Sequence, residues 1–306
     1  MTQALQPSDL RISSVRRARS NTARIVFVAS ASVSVFIGAL IVWTIAREAW
    51  EFAVAVDPAQ MFAIGWFPRR GLYDISTLLV NSLEIAVMAM AVALPAGIGA
   101  AIYMSEYAPP GLRNVLKPAL ELLAGVPSVV LGVFAISFIT PTLLSHLIPE
   151  INYFNKLAVG IAVGLLVIPV IASIAEDALR AVPLELREAS AGLGARKVTT
   201  SLRVVMPAAL SGLLAAIVVG FSRAIGETMI VTIASGGDTS LFNSNPLTAG
   251  GTITSSMAAL GLGTDQVAGD DLAFQSLFFL GALLFGITLV LNMAGNRVVR
   301  RLAERY

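Results

Sequence analysis

The sequence predicts an all-α membrane protein with six transmembrane helices. Three observations lead to this fold class: hydrophobic residues make up 56% of the 306 positions, charged residues make up only 13%, and the mean hydropathy is +0.80. Soluble domains carry about 25% charged residues. The composition therefore excludes a soluble globular protein.

Six stretches are long and apolar enough to span a bilayer, because a transmembrane helix needs about 20 mostly apolar residues. In chain order they are Ile25–Ala46, Leu78–Met104, Ala119–Thr140, Leu157–Ala175, Ala208–Ser235 and Ala273–Ala294. The first follows a basic leader similar to the start of a signal peptide. The apolar run of this first stretch is longer than the roughly 7–15 apolar residues at the centre of a signal peptide. We therefore predict a span that is retained in the membrane.

The Lys and Arg residues outside the spans predict the orientation. Sixteen lie on one side, in the tails 1–24 and 295–306 and the loops 105–118 and 176–207, whereas the other side has Arg47, Arg69, Arg70 and Lys156. Cytoplasmic loops are enriched in basic residues. Both termini are therefore expected in the cytoplasm, residues 25–294 in a membrane domain, and the loop 236–272, which has no Lys or Arg, outside.

The remaining polar residues leave little room for catalysis. The chain has no Cys and a single His, His146, which removes thiol chemistry, Cys-rich zinc sites and His clusters. A Walker A loop needs a Gly-Lys pair, and Lys117, Lys156 and Lys197 all follow other residues. We expect no catalytic role, no metal site and no cofactor bound by this chain, which leaves transport.

The fifth span contains two ionisable residues, Arg223 and Glu227. An ionisable group in hydrocarbon costs at least about 2.5–3.5 kcal/mol unless it faces a cavity or a partner. Their i,i+4 spacing predicts one helix face, within reach of each other. Arg223 suits a passing oxyanion, Glu227 could hold Arg223 when the site is empty, and Ser222 and Thr228 add hydroxyls. The alternative is an ion pair that only ties helices together.

Two further carboxylates, Glu84 and Glu121, are weaker candidates for a pathway. Glu84 lies in the outer part of the second span and Glu121 near the cytoplasmic start of the third. Each is expected to reach water or to pair with a base of a loop.

The loop 176–207 is the candidate docking element for a separate ATPase. Pro183 is placed to start a short helix through Ala191, and Gly192-Leu193-Gly194 predicts a turn. Small residues would let this helix enter a groove, while Arg187 and Glu188 supply polar contacts. A solvated cytoplasmic hairpin is the alternative.

Several motifs resemble those of permease subunits of ABC importers. Glu188 to Gly194, followed by Met206-Pro207, resembles the "EAA…G…LP" coupling loop, with Ser190 and Met206 as mild departures. The runs 223–229, 124–130 and 99–109 resemble the "RAxGET", "AGxPSVV" and "AIYLSEYAP" segments of phosphate permeases. The resemblance extends from about residue 78 to the C-terminus and is closer to PstC-type than to PstA-type subunits.

This resemblance implies a type I, MetI-like permease bundle in the bacterial plasma membrane. The implied partners are a PstA-type permease, a PstB-type ATPase dimer that uses ATP and Mg, a PstS-type phosphate-binding protein and membrane lipid, without nucleic acid. Arg223, Glu227, Ser222 and Thr228 would line the pathway. The implied ATPase-coupling residues are Arg187, Glu188, Ala189, Ser190, Gly194 and Pro207.

Three other functions are weighed against phosphate import. A permease for another oxyanion or small solute is opposed by the Arg-x-x-Gly-Glu-Thr run at 223–228. A proton-coupled secondary transporter could use Glu227 as proton carrier but would not need the Glu188–Gly194 loop. An intramembrane enzyme lacks the residues for catalysis.

Overall fold

Long apolar helices make up most of the structure, a computed structural model that describes residues 14–62, 64–240, 242–262 and 271–303. The long helices are α1 (Ser14–Ala55), α2 (Ile75–Ile102), α6 (Lys156–Arg180) and α13 (Asp271–Ala303). A further span begins as α4 (Ser128–Phe134), continues through a π-helical segment (Ala135–Leu144) and ends as α5 (Ser145–Leu147). Within the described ranges, five helical segments are long and apolar enough to cross a membrane.

Two groups of short elements lie at opposite ends of these helices. Strands β1 (Trp66–Phe67) and β2 (Leu72–Tyr73) form an antiparallel hairpin, flanked by 3-10 turns at Gln60–Phe62 and Pro68–Arg70. This end, called the hairpin end, also includes α12 (Ile253–Gly261). The other end, called the α7 end, contains a π turn (Tyr103–Tyr107), α3 (Pro110–Ala124), α7 (Leu184–Gly192), α8 (Lys197–Thr200), a second π turn (Ser201–Val205) and α9 (Met206–Ala208).

The predicted six-span architecture is confirmed when one bent pair of helices is counted as a span. Lys197–Ala208 and α10 (Leu210–Ile225) meet at an angle of 72° and together satisfy the length and hydropathy of a sixth span. Such a bend places polar backbone groups at the turn, which is tolerated where protein or water can satisfy them. The all-α membrane class is therefore correct.

The prediction for the third span was wrong in its boundaries. Residues 119–124 belong to α3, and the span runs over Ser128–Leu147 rather than Ala119–Thr140. The break lies at Gly125–Pro127, where Gly125 caps α3 and the non-helical backbone of Pro127 precedes the first residue of α4. By contrast, Pro95 and Pro169 lie inside the continuous helices α2 and α6.

The fifth span also differs from the predicted Ala208–Ser235. Helix α10 ends at Ile225, and a separate short helix, α11 (Met229–Ala234), follows Gly226–Thr228. Glycine has a low helix propensity, and here Gly226 caps the C-terminus of α10. The predicted pathway residues therefore lie at a helix break.

Helices α1 and α6 are longer than the spans that hydropathy predicts, and the loop 236–272 contains a helix. Residues 14–24 of the basic tail form the start of α1, and residues 1–13 lie outside the described residues. Helix α6 continues to Arg180, so the predicted loop 176–207 begins inside a helix. In the loop 236–272, α12 is ordered at 253–261, and residues 263–270 lie outside the described residues.

Helices α2 and α6 pack closely because α6 carries two glycines four residues apart. A Cβ atom at Gly160 would lie 2.6 Å from Cβ of Met88, and one at Gly164 would lie 2.9 Å from the carbonyl oxygen of Ala89. Small residues at this spacing allow the backbones of membrane helices to approach. Neighbouring helices complete one core, in which Ile171 is fully buried.

A second hydrophobic cluster holds the hairpin against the helices. Trp66 and Tyr73 are 4% exposed, and their rings lie 5.9 Å apart between centroids. Phe52 of α1 contacts Tyr73 edge to face at 4.9 Å and Phe279 of α13 at 5.1 Å. The aromatic contacts fix the hairpin, whose tip carries the exposed Arg69 and Arg70.

Asp74 sets the start of α2 directly after the hairpin. Its carboxylate accepts hydrogen bonds from the backbone N–H of Ser76 at 3.0 Å and of Thr77 at 3.4 Å. Burial opposes the charged form of Asp74, but the hydrogen bonds from Ser76 and Thr77 outweigh it and lower the pKa. The charged cap also suits the positive N-terminal end of the helix.

We predict that Gly164→Ala destabilises the protein by about 1–3 kcal/mol, because the new methyl group would overlap Ala89 and Val92. The measurement is unfolding in detergent, followed by circular dichroism. The matched control is Gly99→Ala in α2, where an added Cβ meets no atom within 4 Å. Equal stability of the two variants would contradict close packing of α2 on α6.

Candidate functional site

Arg223 lies in the last turn of α10, immediately before the helix break. Its side chain is exposed on the surface of the chain, and no carboxylate of the described residues forms an ion pair with it. A cation at a helix C-terminus interacts favourably with the helix dipole. Arg223 therefore presents a permanently charged fork of donors, which matches the oxygens of a phosphate or carboxylate.

Glu227 does not share a helix face with Arg223, so the expected i,i+4 arrangement is wrong. The carboxylate of Glu227 instead accepts hydrogen bonds from the backbone N–H groups of Met229 at 3.2 Å and Ile230 at 3.4 Å. The first N–H groups of a helix have no partner within the helix, and this side chain caps those of α11. The break at Gly226 thus redirects Glu227 away from α10.

The two hydroxyl residues beside this pair have different surroundings. Ser222 donates to Oδ1 of Asn292 at 3.5 Å, a long contact that connects α10 with α13. Thr228 donates to the carbonyl oxygen of Gly226 at 3.3 Å, within the break. The structure thus places all four predicted pathway residues at or beside one helix break, with Arg223 exposed and the other three half-buried.

Thr254 is a residue of this site that the sequence analysis missed. Its hydroxyl donates to the backbone carbonyl oxygen of Glu227 at 2.8 Å and so connects the break with the first turn of α12. Thr252 and Ser255 form a capping box at the start of the same helix. The cluster of hydroxyl residues at 252–256 was the available signal, but its contact with Glu227 spans 27 residues of chain.

The α7 end presents a second candidate surface. Glu188, Ala189 and Gly194 are exposed, whereas the hydroxyl of Ser190 lies 2.8 Å from that of Thr200 and joins α7 to α8. Gly194 has a φ of +79°, a left-handed conformation that favours glycine. Pro207 is half-buried in α9. Three of the six predicted coupling residues therefore face solvent.

Arg187 points into the chain rather than away from it. Its guanidinium forms an ion pair with Glu106 at 3.0 Å and donates to the carbonyl oxygen of Leu179 at 2.8 Å and to that of Val182 at 2.5 Å. These contacts attach α7 to the ends of α2 and α6. Arg187 consequently fixes the position of α7. We call the exposed residues Glu188, Ala189, Leu193 and Gly194 the α7 surface.

Leu193 is the second feature that the sequence analysis missed. It was included in the predicted turn, yet its side chain is 90% exposed between Gly192 and Gly194. Leu184 and Val198 are also exposed nearby in sequence, at 61% and 55%. Clustered exposed apolar side chains mark interaction surfaces.

A charge cluster anchors α3 at the same end. The buried carboxylate of Glu176 forms ion pairs with Arg113 at 2.6 Å and Lys117 at 2.8 Å. Hydrogen bonds with Glu176 and then Asp177 raise the pKa of Lys117, which keeps this base protonated. Glu121, a weak candidate, lies exposed on α3 rather than in a span.

Comparison with known proteins identifies the family. The profile of the family described as "Binding-protein-dependent transport system inner membrane component" matches residues 93–306, more than half of the chain. The chain belongs to this family. We refer to it below as the permease.

Similar proteins of known sequence come from several bacteria. Phosphate transport system permease protein PstC 1 of Mycobacterium tuberculosis is 31% identical over 257 residues, which span 78% of this chain and 75% of that protein. Probable ABC transporter permease protein YqgH of Bacillus subtilis is 31% identical over 76% of this chain and 74% of its own length. Phosphate transport system permease protein PstC of Xylella fastidiosa is 27% identical over 93% and 90%.

Solved structures of ABC importers share the fold. A bacterial transporter involved in the import of alginate matches with a TM-score of 0.61 and 16% identity, over 93% of this chain and 99% of that chain. The MetNI methionine transporter, in an inward-facing conformation, matches with a TM-score of 0.55 and 20% identity, over 74% and 94%. The permease therefore has the MetI-like bundle that the sequence motifs implied.

A buried ionic network joins α2, α6 and the loop after α11 at the hairpin end of the permease. The side chain of Lys156 is fully buried, and its Nζ lies 2.5 Å from a carboxylate oxygen of Glu84 and 2.9 Å from Oδ1 of Asn81. Lys156 also donates to the carbonyl oxygen of Asn243 at 2.5 Å. Glu84 thus pairs with a base, one of its two expected environments, and Lys156 is an internal counter-charge rather than a solvated loop residue.

The part of the permease that the structure describes contains no group of three or more His, Asp or Glu side chains that could hold a metal ion. The chain itself has no Cys.

We predict that Glu84→Gln lowers the free energy of unfolding by about 3 kcal/mol, because it leaves the buried ammonium of Lys156 without a counter-charge. The measurement is denaturant unfolding in detergent. The matched control is the double variant Glu84→Gln/Lys156→Met, which removes both charges and is expected to be more stable than Glu84→Gln alone. Wild-type stability of Glu84→Gln would contradict the ion pair.

Proposed function

We propose that the permease is the PstC-type subunit of an ATP-driven phosphate importer. The observation that carries this proposal is Arg223, an exposed guanidinium without an ion-pair partner among the described residues, at a helix break in an otherwise apolar segment. Three of the relatives support phosphate as the transported ligand. They are the PstC proteins of Mycobacterium tuberculosis and of two Xylella fastidiosa strains, which are named phosphate transport system permease proteins.

Arg223 and its surroundings form half of a pathway. The guanidinium lies on the outer surface of the chain, where a second permease subunit of PstA type would enclose it. Enclosure removes water and strengthens the attraction between the guanidinium and an anion. Glu227 caps α11 through one carboxylate oxygen and forms no ion pair with Arg223 in this conformation.

The α7 surface docks a PstB-type ATPase dimer, which binds ATP and Mg. Glu188, Ala189, Gly194 and Leu193 are exposed and available for contact, while Arg187 ties the surface to α2 and α6. Closure of the ATPase on ATP would move α7 and change access to Arg223. The permease itself is non-catalytic in this scheme.

The α7 end faces the cytoplasm and the hairpin end faces outward. The excess of Lys and Arg on the α7 side supports this orientation, with both termini in the cytoplasm. A PstS-type binding protein would deliver phosphate at the hairpin end of the heterodimer. The permease lies in the bacterial plasma membrane, where exposed apolar helices such as α1 contact lipid.

Arg223→Gln is expected to reduce phosphate uptake at least about thirtyfold, the effect of losing about 2 kcal/mol of stabilisation, while the complex still assembles and hydrolyses ATP. The measurement is uptake of radiolabelled phosphate in cells that lack other phosphate carriers. Arg297→Gln, at an exposed base of α13, is the matched control. Sulfate uptake measured in parallel distinguishes a permease for another oxyanion. Normal phosphate uptake by Arg223→Gln would overturn the proposed role.

Glu188→Lys is expected to weaken ATPase binding about tenfold, because it reverses a charge on the exposed α7 surface. Co-purification of the ATPase and phosphate uptake are the two readouts. Glu185→Lys, an equal charge reversal on an exposed residue of the same helix, is the control and should have a smaller effect. Unchanged co-purification together with unchanged uptake in Glu188→Lys would exclude Glu188 from the docking surface.

A further inference from the structure

A cavity of about 350 Å³ lies at the hairpin end, and its lining does not include Ser222, Arg223, Glu227 or Thr228. Its walls come from the hairpin tip, the segment after α11 and the first turn of α12, and include Trp66, Arg69, Arg70, Gly237, Ser255 and Ser256. We call it the hairpin cavity. Binding sites for small molecules are concave and carry a few placed polar groups, and this volume is in their usual range.

Among the residues that the structure describes, the hairpin cavity is lined by two bases and by no acid. Arg69 and Arg70 line it, and no described Asp or Glu does. Asp238 lies between the lining residues Gly237 and Thr239 in the chain, and its Oδ1 accepts hydrogen bonds from the backbone N–H of Ser240 at 2.9 Å and from the Ser240 hydroxyl at 2.6 Å.

The two arginines differ from the other bases on this side of the permease. Arg47 pairs with Glu51 at 3.1 Å, and Lys156 pairs with Glu84. Arg69 and Arg70 form no ion pair with any residue that the structure describes, and the guanidinium of Arg70 stacks over the ring of Phe67 at 5.4 Å. Arginine is poorly represented on the non-cytoplasmic side of membrane proteins. Two adjacent arginines without an ion-pair partner among the described residues leave positive charge available for a ligand.

A second, independent observation is the side chain of Trp66. This residue is 4% exposed and lines the hairpin cavity, and its indole Nε1–H is the one buried side-chain polar atom without a hydrogen-bond partner among the described residues. An unsatisfied buried donor costs about 1–3 kcal/mol. Trp66 thus combines a place in the cavity wall with an unpaired indole N–H among the described residues.

The buried positions of these donors select a small ligand. Ser256 is 7% exposed and Trp66 4%, so both belong to the buried wall of the cavity, whereas Arg69 and Arg70 are exposed. An acidic side chain on the surface of a partner protein could meet Arg69 and Arg70 but would not extend to the wall. A tetrahedral inorganic oxyanion combines negative charge with several acceptor atoms and fits both observations.

We infer that the hairpin cavity binds an inorganic oxyanion of the phosphate class, at a site separate from Arg223. The choice of phosphate rests on the proposed function, whereas the cavity and its donors do not. The first turn of α12 connects the two places, since Ser255 and Ser256 line the cavity and Thr254 donates to the carbonyl oxygen of Glu227. An anion bound in the hairpin cavity would lie next to α12, and Thr254 of α12 binds the helix break at Gly226–Thr228.

The test measures binding of radiolabelled inorganic phosphate by equilibrium dialysis. It uses the whole complex in nanodiscs, without nucleotide and without the binding protein. Arg69→Gln/Arg70→Gln is expected to weaken one component of the wild-type binding at least tenfold and to leave the component that depends on Arg223. Arg47→Gln, which removes a base paired with Glu51, is the matched control and should bind as the wild type does.

Trp66→Phe provides a second variant that keeps the aromatic ring and removes only the Nε1–H donor. Its phosphate affinity is expected to fall about threefold. Normal assembly with the partner subunits shows that each variant folds.

The outcomes separate this inference from the proposed function. Binding of sulfate in place of phosphate, lost in Arg69→Gln/Arg70→Gln, would support the oxyanion site and count against phosphate as the substrate. Equal binding of both anions by the wild type and the double variant would overturn the inference. It would also be overturned if phosphate binding were unchanged while stimulation of ATP hydrolysis by the binding protein fell, because the arginines would then contact that protein.

Discussion

Hydrocarbon offers no hydrogen bonds to the backbone, and the rest of the structure depends on this constraint. Long helices such as α2 and α6 satisfy their own peptide groups, so every break needs a substitute partner. At Gly226–Thr228, the carboxylate of Glu227 caps α11, and the hydroxyl of Thr254 binds the carbonyl group of Glu227. The break is stable because polar side chains from two segments satisfy it, and it leaves the guanidinium of Arg223 exposed.

Hydropathy predicts most of the spans of the bundle, because a segment of about 20 residues crosses the bilayer when its average composition is apolar. It failed at α3, where Leu120, Leu122 and Leu123 extend the apolar run of the next span, although the helix carries Arg113 and Lys117. Only the three-dimensional contacts with Glu176 place this helix at the α7 end. Arg223 was predictable from the cost of a charge in an apolar segment. The partners of Glu227 were not, because i,i+4 spacing assumes a continuous helix and Gly226 ends it.

Charged residues fall into two groups according to their partners. Glu176, Lys156 and Arg187 are buried or partly buried, and each binds an opposite charge on another element, which fixes the helices relative to one another. Arg223 and the Arg69–Arg70 pair have no ion-pair partner within the described residues. Sequence alone could not separate the groups, because Lys156 and Glu84 lie 72 positions apart and Arg187 and Glu106 lie 81 apart. Function is expected at Arg223 and at Arg69–Arg70 because they combine available charge with a helix break and a cavity, unlike the exposed Arg297.

Helix α6 connects the two ends of the permease mechanically. At its start, Lys156 holds Glu84 of α2, and near its end, the carbonyl group of Leu179 binds Arg187 of α7, which also binds Glu106 after α2. Between these points, Gly160 and Gly164 let α6 lie directly against α2. Because close-packed helices do not deform continuously, a displacement of α7 must move α2 and α6 together. Since Lys156 also binds the carbonyl group of Asn243, that movement would reach the loop after α11.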